Sequence, residues 1–497
     1  INIQDARINI GISSPISTSV DRIEEFRIVT SPIDAELGRG SGQIQMITRS
    51  GSNEIHGSLW NYHRNTVLNA NTWFNNQRGL DPGAGQPISP RDILIRNQFG
   101  ARGGGPLIKN RTFFHLLYEG QRIRQKTAVT NTVYTATARQ GIFQFFPGAE
   151  NANANSTTLP PTVDLQGNPV QPSTATGPLQ QVSLFGRDPF RPGPDRSGVA
   201  KRLIDLAPLP NNFRFGDGLN TAGYTWSRRS TNDSNLFNVK IDHNFTAAHR
   251  LTFSYNWEDG FGENLFMAQP LPNSPGGTRE QPDSLTSLTF TSTFSPTLLN
   301  EVRVGALRSR YRFYAPWEVS GADLQPKVGN DPYLVAFNRI SDPLNRDNDP
   351  QGRLSPVYQY SDKVTWLRGK HATKLGGEVR FVSTNGFNSF DVMPRAFLST
   401  AAIPGGQPAQ NIGTIPGIGR NQGPAELTLY DLSGSVGRVV QALNSPGGAN
   451  PTFLPGEGKV RTWRQRELTV YFQDDYKVTP SLTLNLGLRY EWFGVPW

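Results

Sequence analysis

The chain has 497 residues, of which only 36% are apolar, and its mean hydropathy is −0.47, yet aromatic residues reach 10%. No run of about 18 apolar residues occurs, which excludes a helical membrane protein; a transmembrane β-barrel survives, because its strands present lipid only at alternate positions. The net charge of +9 is scattered over loops and strand ends, as at Arg228-Arg229 and Arg461 to Arg466, without the basic stripe of a nucleic-acid site, so no nucleic-acid partner is expected.

The 50 Gly and 38 Pro residues punctuate the chain too often for long helices, and the expected class is all-β. An absence of cysteine removes disulfides and thiolate metal sites together, and leaves the compartment open. The chain opens at Ile1 with neither an initiator Met nor a charged-then-apolar leader, and the expectation is a segment of a longer protein.

In chain order, the first feature is the glycine-rich stretch Gly38-Arg39-Gly40-Ser41-Gly42, between a candidate strand led in by Asp21-Arg22-Ile23-Glu24 and another from Gln43 to Thr48. A phosphate cradle would need G-x-G-x-x-G or the Lys-Ser/Thr of a P-loop ahead of a helix; GRGSGQ has neither and precedes a strand. Glycine there permits positive φ and close backbone approach, as a tight turn packed against a wall requires. His56 to Arg64, Asn97 to Gly104 and Arg111 to Gly120 read as three strands, with a short turn at Gly105 to Asn110.

Period-two stripes then recur in pairs. Phe237, Val239, Ile241 and Phe245 turn at Thr246 to His249 into Leu251, Phe253, Tyr255 and Trp257, with Thr252, Ser254, Asn256 and Glu258 between. Leu288, Phe290 and Phe294 lead through Ser295-Pro296 to Val302, Val304 and Ala306. Tyr358, Tyr360, Val364 and Trp366 turn at Arg368 to His371 into Leu375, Val379 and Phe381. Finally Leu468, Val470, Phe472, Tyr476 and Val478 pass through Thr479-Pro480-Ser481 into Leu482, Leu484, Leu486, Leu488, Tyr490 and Trp492.

Tight turns alternate with long connectors at 65–95, 121–234, 259–284, 315–356 and 383–465. Short turns on one side and long loops on the other are the asymmetry of an outer-membrane barrel, and a compact soluble domain rarely tolerates loops of this length. Within 121–234, the runs Asn151 to Asn155 and Pro192-Gly193-Pro194 point to a disordered stretch or a large surface loop. Counting from His56 gives about eleven strands, an odd number, whereas single-chain bacterial barrels close with an even one. Further strands are therefore expected beyond Trp497.

The aromatic stripes could also pack a soluble β-core. Lipid is favoured because Trp257, Trp366 and Trp492 sit near strand ends, where girdles form, so Phe253, Tyr255, Trp257, Trp366, Leu484, Leu486, Leu488, Tyr490 and Trp492 are taken as lipid-facing. No chemistry emerges. The six His show no metal-site spacing, Asp474-Asp475 would point to opposite faces of a strand, and no G-x-S-x-G elbow occurs, so no catalytic, cofactor or metal site is expected.

Residues 20–49, VDRIEEFRIVTSPIDAELGRGSGQIQMITR, resemble the closing segment of the plug domain in TonB-dependent outer-membrane receptors, with Glu24, Gly38, Arg39, Gly40, Gly42 and Thr48 at the matching positions. SGSNEIHGSLWNYHRN at 50–65, RNQFGARGGGPLIKNRTFFHLLYEG at 96–120 and the pair from Glu467 to Phe493 resemble the Oar-like subgroup. The stretch has one Gly before Gln43 where the family often has two, and no TonB box is visible. The resemblance implies the end of a plug at 1–55 and the N-terminal portion of an antiparallel barrel at 56–497. It also implies energised uptake of a scarce solute, partnership with the TonB–ExbB–ExbD complex, and an outer-membrane setting of lipids and lipopolysaccharide. Arginine-rich loops lean towards anionic or polar solutes. The rival readings are a secreted or surface-attached carbohydrate-binding adhesin and, more distantly, a β-rich hydrolase.

Overall fold

The computed structural model describes residues 19–30, 34–36, 38, 42–73, 76, 91–319, 325–344, 350–399, 412–447 and 451–497. Two short strands, β1 (Ile23–Thr30) and β2 (Gly42–Thr48), pair antiparallel with each other alone. The large sheet opens with β3 (His56–Asn65), β4 (Ile93–Ile108) and β5 (Thr112–Tyr134). After β6 (Ile142–Phe145) and β7 (Gln180–Ser183), which form their own hairpin, it continues with β8 (Thr221–Asn244), β9 (His249–Glu263), β10 (Thr278–Ser295) and β11 (Leu298–Tyr314). Short strands β12 (Lys327–Val328), β13 (Asp331–Pro332) and β14 (Leu334–Ala336) precede β15 (Gln351–Arg368) and β16 (His371–Asn388). Then β17 (Arg395–Leu398) and β18 (Val436–Val440) lead to β19 (Lys459–Thr479) and β20 (Leu482–Phe493).

Eleven strands make one antiparallel sheet in the order β20-β19-β16-β15-β11-β10-β9-β8-β5-β4-β3, the number expected from the stripes. Each strand pairs with the sheet strand next in sequence, and β3 and β20 form the two edges. Among the described residues no helix is long and apolar enough to cross a membrane.

Burial along these strands is inverted relative to a soluble sheet. On β9, Ser254, Asn256 and Glu258 are buried while Phe253, Tyr255 and Trp257 are partly exposed; on β8, Asn238, Lys240 and Asp242 are buried and Phe237 is exposed. The register puts Phe253 beside Ile241 and Leu288, and Tyr255 beside Val239, so the apolar stripes merge into one outward band. Water would penalise such a surface, whereas hydrocarbon accepts it and leaves the polar groups to satisfy one another inside.

The strands outrun their apolar stripes, which corrects several sequence-based boundaries. Gln121 to Tyr134, read as connector, pairs residue by residue with Ser234 back to Thr221. The turn expected at Gly105 to Asn110 is narrower, since β4 runs to Ile108 and pairs there with Thr112. Likewise β9 runs to Glu263, β10 begins at Thr278, β15 at Gln351 and β19 at Lys459, and β16 runs to Asn388. Beyond the membrane both faces are wet, so alternation disappears while the hydrogen-bond ladder continues.

Among the described residues, what remains between the strands on the long side folds into a packed cap, the large surface loop of the two alternatives and not a disordered tract. Phe143, Phe145 and Leu184 pack against Ile412, Ile415, Ile418 and Leu429, while Leu203 joins Leu334, Val335, Leu344 and Leu398. One sheet of β14, β17 and β18 ties two connectors together. The helix Gln422–Ser433 carries Pro424 in its first turn, where the missing N–H costs nothing, and ends on Gly434 in the left-handed region at φ 64°. Its Asp431 accepts from Tyr134 Oη at 2.7 Å and from the Asn338 and Arg339 amides at 3.0 Å, joining the end of β5 and two connectors at one carboxylate. Burial pushes this carboxyl above its usual range, partly offset by those bonds. Asp431→Ala strands these donors, at about 1–3 kcal/mol for each left unsatisfied; limited proteolysis should then cut within 135–220 while the sheet stays intact.

Candidate functional site: the plug seat and the inner face of the sheet

The polar inner face of the sheet is where the N-terminal segment docks. Ser19 Oγ donates to Glu119 Oε2 at 2.9 Å, Arg22 Nη1 to Asn256 Oδ1 at 3.1 Å, and Lys240 Nζ to the Thr48 carbonyl at 2.8 Å. Arg102 Nη1 reaches the Asp21 carbonyl at 3.1 Å. Glu24 is exposed on β1, within electrostatic range of Lys240. Each anchor therefore joins the segment to an inward-facing wall residue that is separated from it by a long stretch of chain.

A second anchoring point lies between β1 and β2. Lys374 Nζ holds Asp34 Oδ1 at 3.1 Å and Lys363 Nζ holds Glu36 Oε1 at 2.9 Å, from β16 and β15 respectively. Gln473 on β19 clasps the same stretch, Nε2 donating to Asp34 at 2.6 Å and Oε1 accepting from the Ala35 amide at 2.8 Å. Arg489 Nη1 on β20 donates to the Ala35 and Glu36 carbonyls at 3.1 Å. A Cβ on Gly38 would meet only the Arg489 guanidinium, the movable end of a long side chain. Gly42 begins β2 and Thr48 ends it; Arg39 and Gly40 lie outside the described residues.

The sequence reading named the glycine-rich turn and missed its partners on the wall. Asp34, Glu36, Lys363, Lys374, Gln473 and Arg489 carry no local motif, since they meet only when β15, β16, β19 and β20 lie side by side. Gly51 was missed too. A Cβ there would sit 2.8 Å from the Gly105 carbonyl and closer still to that of Phe114, so the link into β3 crosses the β4–β5 turn with no room for a side chain.

Nearer the long connectors, the inner face opens into a cavity of about 880 Å³ bounded by Tyr311, Arg353, Phe390, Lys459, Arg461 and Trp463, with no carboxylate in its lining. The Arg353 guanidinium lies 5.3 Å from the Tyr311 ring centre. Cations, rings and amides without an acid suit a polar or anionic solute with a flat face.

The outward residues lie as the alternation requires. Trp366, Leu484, Leu486, Leu488, Tyr490 and Trp492 are exposed, and Phe253, Tyr255 and Trp257 partly so. Asp474 faces outward and bonds His371 Nδ1 at 2.6 Å, whereas Asp475 shares the inner face with Gln473, so the two acids are no pair. Among the described residues no group of His, Cys, Asp and Glu could hold a metal ion.

An antiparallel sheet with an apolar exterior and a polar interior is the wall of a transmembrane β-barrel. Residues 47–497 match the family described as Outer membrane beta barrel domain, and the chain belongs to that family. It is therefore a protein of the bacterial outer membrane. The TonB-dependent transporter Oar of Myxococcus xanthus is 32% identical over 104 residues, 20% of this chain and 9% of that protein. Among solved structures, the outer membrane transporter YddB from Escherichia coli is similar at a TM-score of 0.45 and 10% identity, over 99% of this chain and 46% of that one. The siderophore receptor PirA from Acinetobacter baumannii gives 0.42 and 10%, over 95% and 44%. The chain thus spans less than half the length of these relatives.

Three outcomes follow for the seat. Gly51→Ala forces two backbone carbonyls apart at about 1–3 kcal/mol, and should lower by several degrees the temperature at which the SDS-resistant form is lost. Replacing Lys363 and Lys374 by Gln removes the partly exposed pairs Lys363–Glu36, Lys374–Asp34 and Lys363–Glu301, worth up to about 1 kcal/mol each, and hydrogen exchange in β1 and β2 should rise severalfold with the backbone ladder of the sheet unchanged. Burial alone would raise the Asp34 carboxyl, but the Gln473 and Lys374 hydrogen bonds and the charges of Lys374 and Arg27 outweigh it and hold it below its usual range. A depressed carboxyl stabilises above its unfolded value and loses that contribution as pH falls through the folded one. Protection factors at this seat, corrected for the intrinsic pH dependence of exchange, should therefore stay flat down to about pH 4 and fall only below it.

Proposed function

We propose that the chain is the end of the plug, at 1–55, and the first part of the barrel, from 56 onward, of a TonB-dependent receptor of the Oar-like subgroup that imports a scarce polar or anionic solute. The observation that carries this reading is the chemistry of the seat: the N-terminal segment is held to the wall by hydrogen bonds and ion pairs, not by an apolar core. Such contacts exchange for water at small net cost, so a pulled segment can leave and return, whereas an apolar core would hold it fast.

In this reading the cap of long connectors faces the outside and the short turns face the periplasm. The solute is captured at the cavity around Arg353, Arg461 and Trp463, and the TonB–ExbB–ExbD complex supplies the pull that moves the plug. Strands beyond β3 and β20 complete the barrel, since an open ladder in hydrocarbon leaves N–H and C=O groups unpaired at several kcal/mol each. The surrounding partners are outer-membrane lipids and lipopolysaccharide.

The test is growth of cells expressing the protein on a panel of acidic glycans, peptides and iron chelates as limiting nutrient, with and without a functional TonB. Support is a solute whose use requires both the protein and TonB and falls when Arg353 and Arg461 are replaced by Gln. Equal growth in the absence of TonB would sink the energised-import reading and leave a surface binding protein instead.

A further inference from the structure

The outward face contains a cationic patch near the cap, one of whose arginines, Arg464, also borders the cavity. Val302 and Val304 of β11 face lipid, and the same face continues towards the cap with Ala306, Arg308 and Arg310. On β19 the lipid-facing series Phe472, Val470 and Leu468 continues with Arg466 and Arg464. All four arginines are exposed. Lateral register brings them together: Arg308 lies opposite Pro356 of β15, and Arg464 opposite Ser383 of β16. Strand spacing puts these two arginines about 14 Å apart in one row.

The surroundings make this patch unusual. Arg308 and Arg310 have no hydrogen bond or ion pair from their side chains among the described residues, and Arg466 only stacks over Trp497 at 5.2 Å. The outward residues between them, Leu354, Pro356, Ser383 and Asn385, include no acid that would neutralise the charge. One step towards the short turns lies an aromatic row, Tyr358 beside Phe381, and Trp257 shares the row of Arg308 through Ser284. Aromatic rings mark the boundary between hydrocarbon and headgroups, so the arginines project into the headgroup layer on the cap side.

We propose that Arg308, Arg310, Arg464 and Arg466 form a binding site on the outer wall of the barrel for the phosphates of lipopolysaccharide. The proposal rests on the outward orientation of the cap. Guanidinium forks match phosphate oxygens, the outward Tyr358, Tyr360 and Phe381 on the short-turn side of the arginines offer an apolar bed for acyl chains, and the spacing suits a lipid with phosphates at both ends of its headgroup. Bound lipid would rivet β11, β15, β16 and β19 together at their outer ends, beneath the cap.

The experiment extracts the full-length protein from outer membranes in mild detergent and counts co-purifying lipopolysaccharide per protein by native mass spectrometry. Three variants are compared with wild type: R308Q/R310Q, R464Q/R466Q, and R368Q, which removes an outward cation at the short-turn side. Each cap-side double variant should retain about tenfold less lipopolysaccharide, and R368Q should match wild type. Two independent double variants keep the test decisive should one fail to fold. Unchanged retention in a folded double variant overturns the proposal, as does retention of glycerophospholipid in place of lipopolysaccharide by wild type. A heat-dependent shift in SDS mobility, run on every sample, separates this failure from failure of the barrel reading, because a protein without that shift is no barrel at all.

Discussion

Everything in this molecule depends on one constraint: inside hydrocarbon, a backbone N–H or C=O has no water to turn to. The eleven-stranded ladder satisfies those groups strand by strand, and its continuous register from β3 to β20 is the condition for an apolar exterior. Because side chains alternate, an exterior surrendered to lipid obliges the other face to take the polar residues. Asn238, Lys240, Asp242, Asn256 and Glu258 are inside for that reason and not because burial suits them.

The polar interior in turn decides what the wall can hold. Buried amides and charges need partners, and the N-terminal segment supplies them: Arg22 meets Asn256, the Thr48 carbonyl meets Lys240, and Asp34 and Glu36 meet Lys374 and Lys363. The wall and the segment supply each other with hydrogen-bond partners, with glycine at position 51 where backbone carbonyls leave no room for a Cβ. The cap obeys the opposite physics. In water its connectors bury Phe143, Phe145, Leu184 and Leu429 in an ordinary apolar core and converge on the single carboxylate of Asp431. One chain thus contains an inverted sheet and a conventional core, separated by the level at which the aromatic girdle ends.

The fold class and the strand number were legible in the sequence, because period-two alternation is a local signal that any eleven-residue window can show. The stripes ending in Trp257, Trp366 and Trp492 point to lipid by themselves, since aromatic rings at strand ends mark the membrane boundary. Strand length was not legible: Gln121 to Tyr134 and Thr221 to Ser234 read as loop, since a ladder wetted on both faces needs no alternation. Nor was the packing of the cap, whose Asn- and Pro-rich runs left a disordered stretch or a large surface loop open although the segments around them bury a core.

By itself, then, the sequence determined a β-sheet of eleven strands with an apolar and a polar face, because both properties follow from neighbours two residues apart. Only the tertiary structure decided which residues meet across it. Lys363 and Lys374 find Glu36 and Asp34, Arg489 finds the backbone beside Gly38, and Arg308 comes into line with Arg464, all over separations that no local pattern encodes. Such contacts depend on the register between strands, which a cooperative ladder sets for the whole sheet at once.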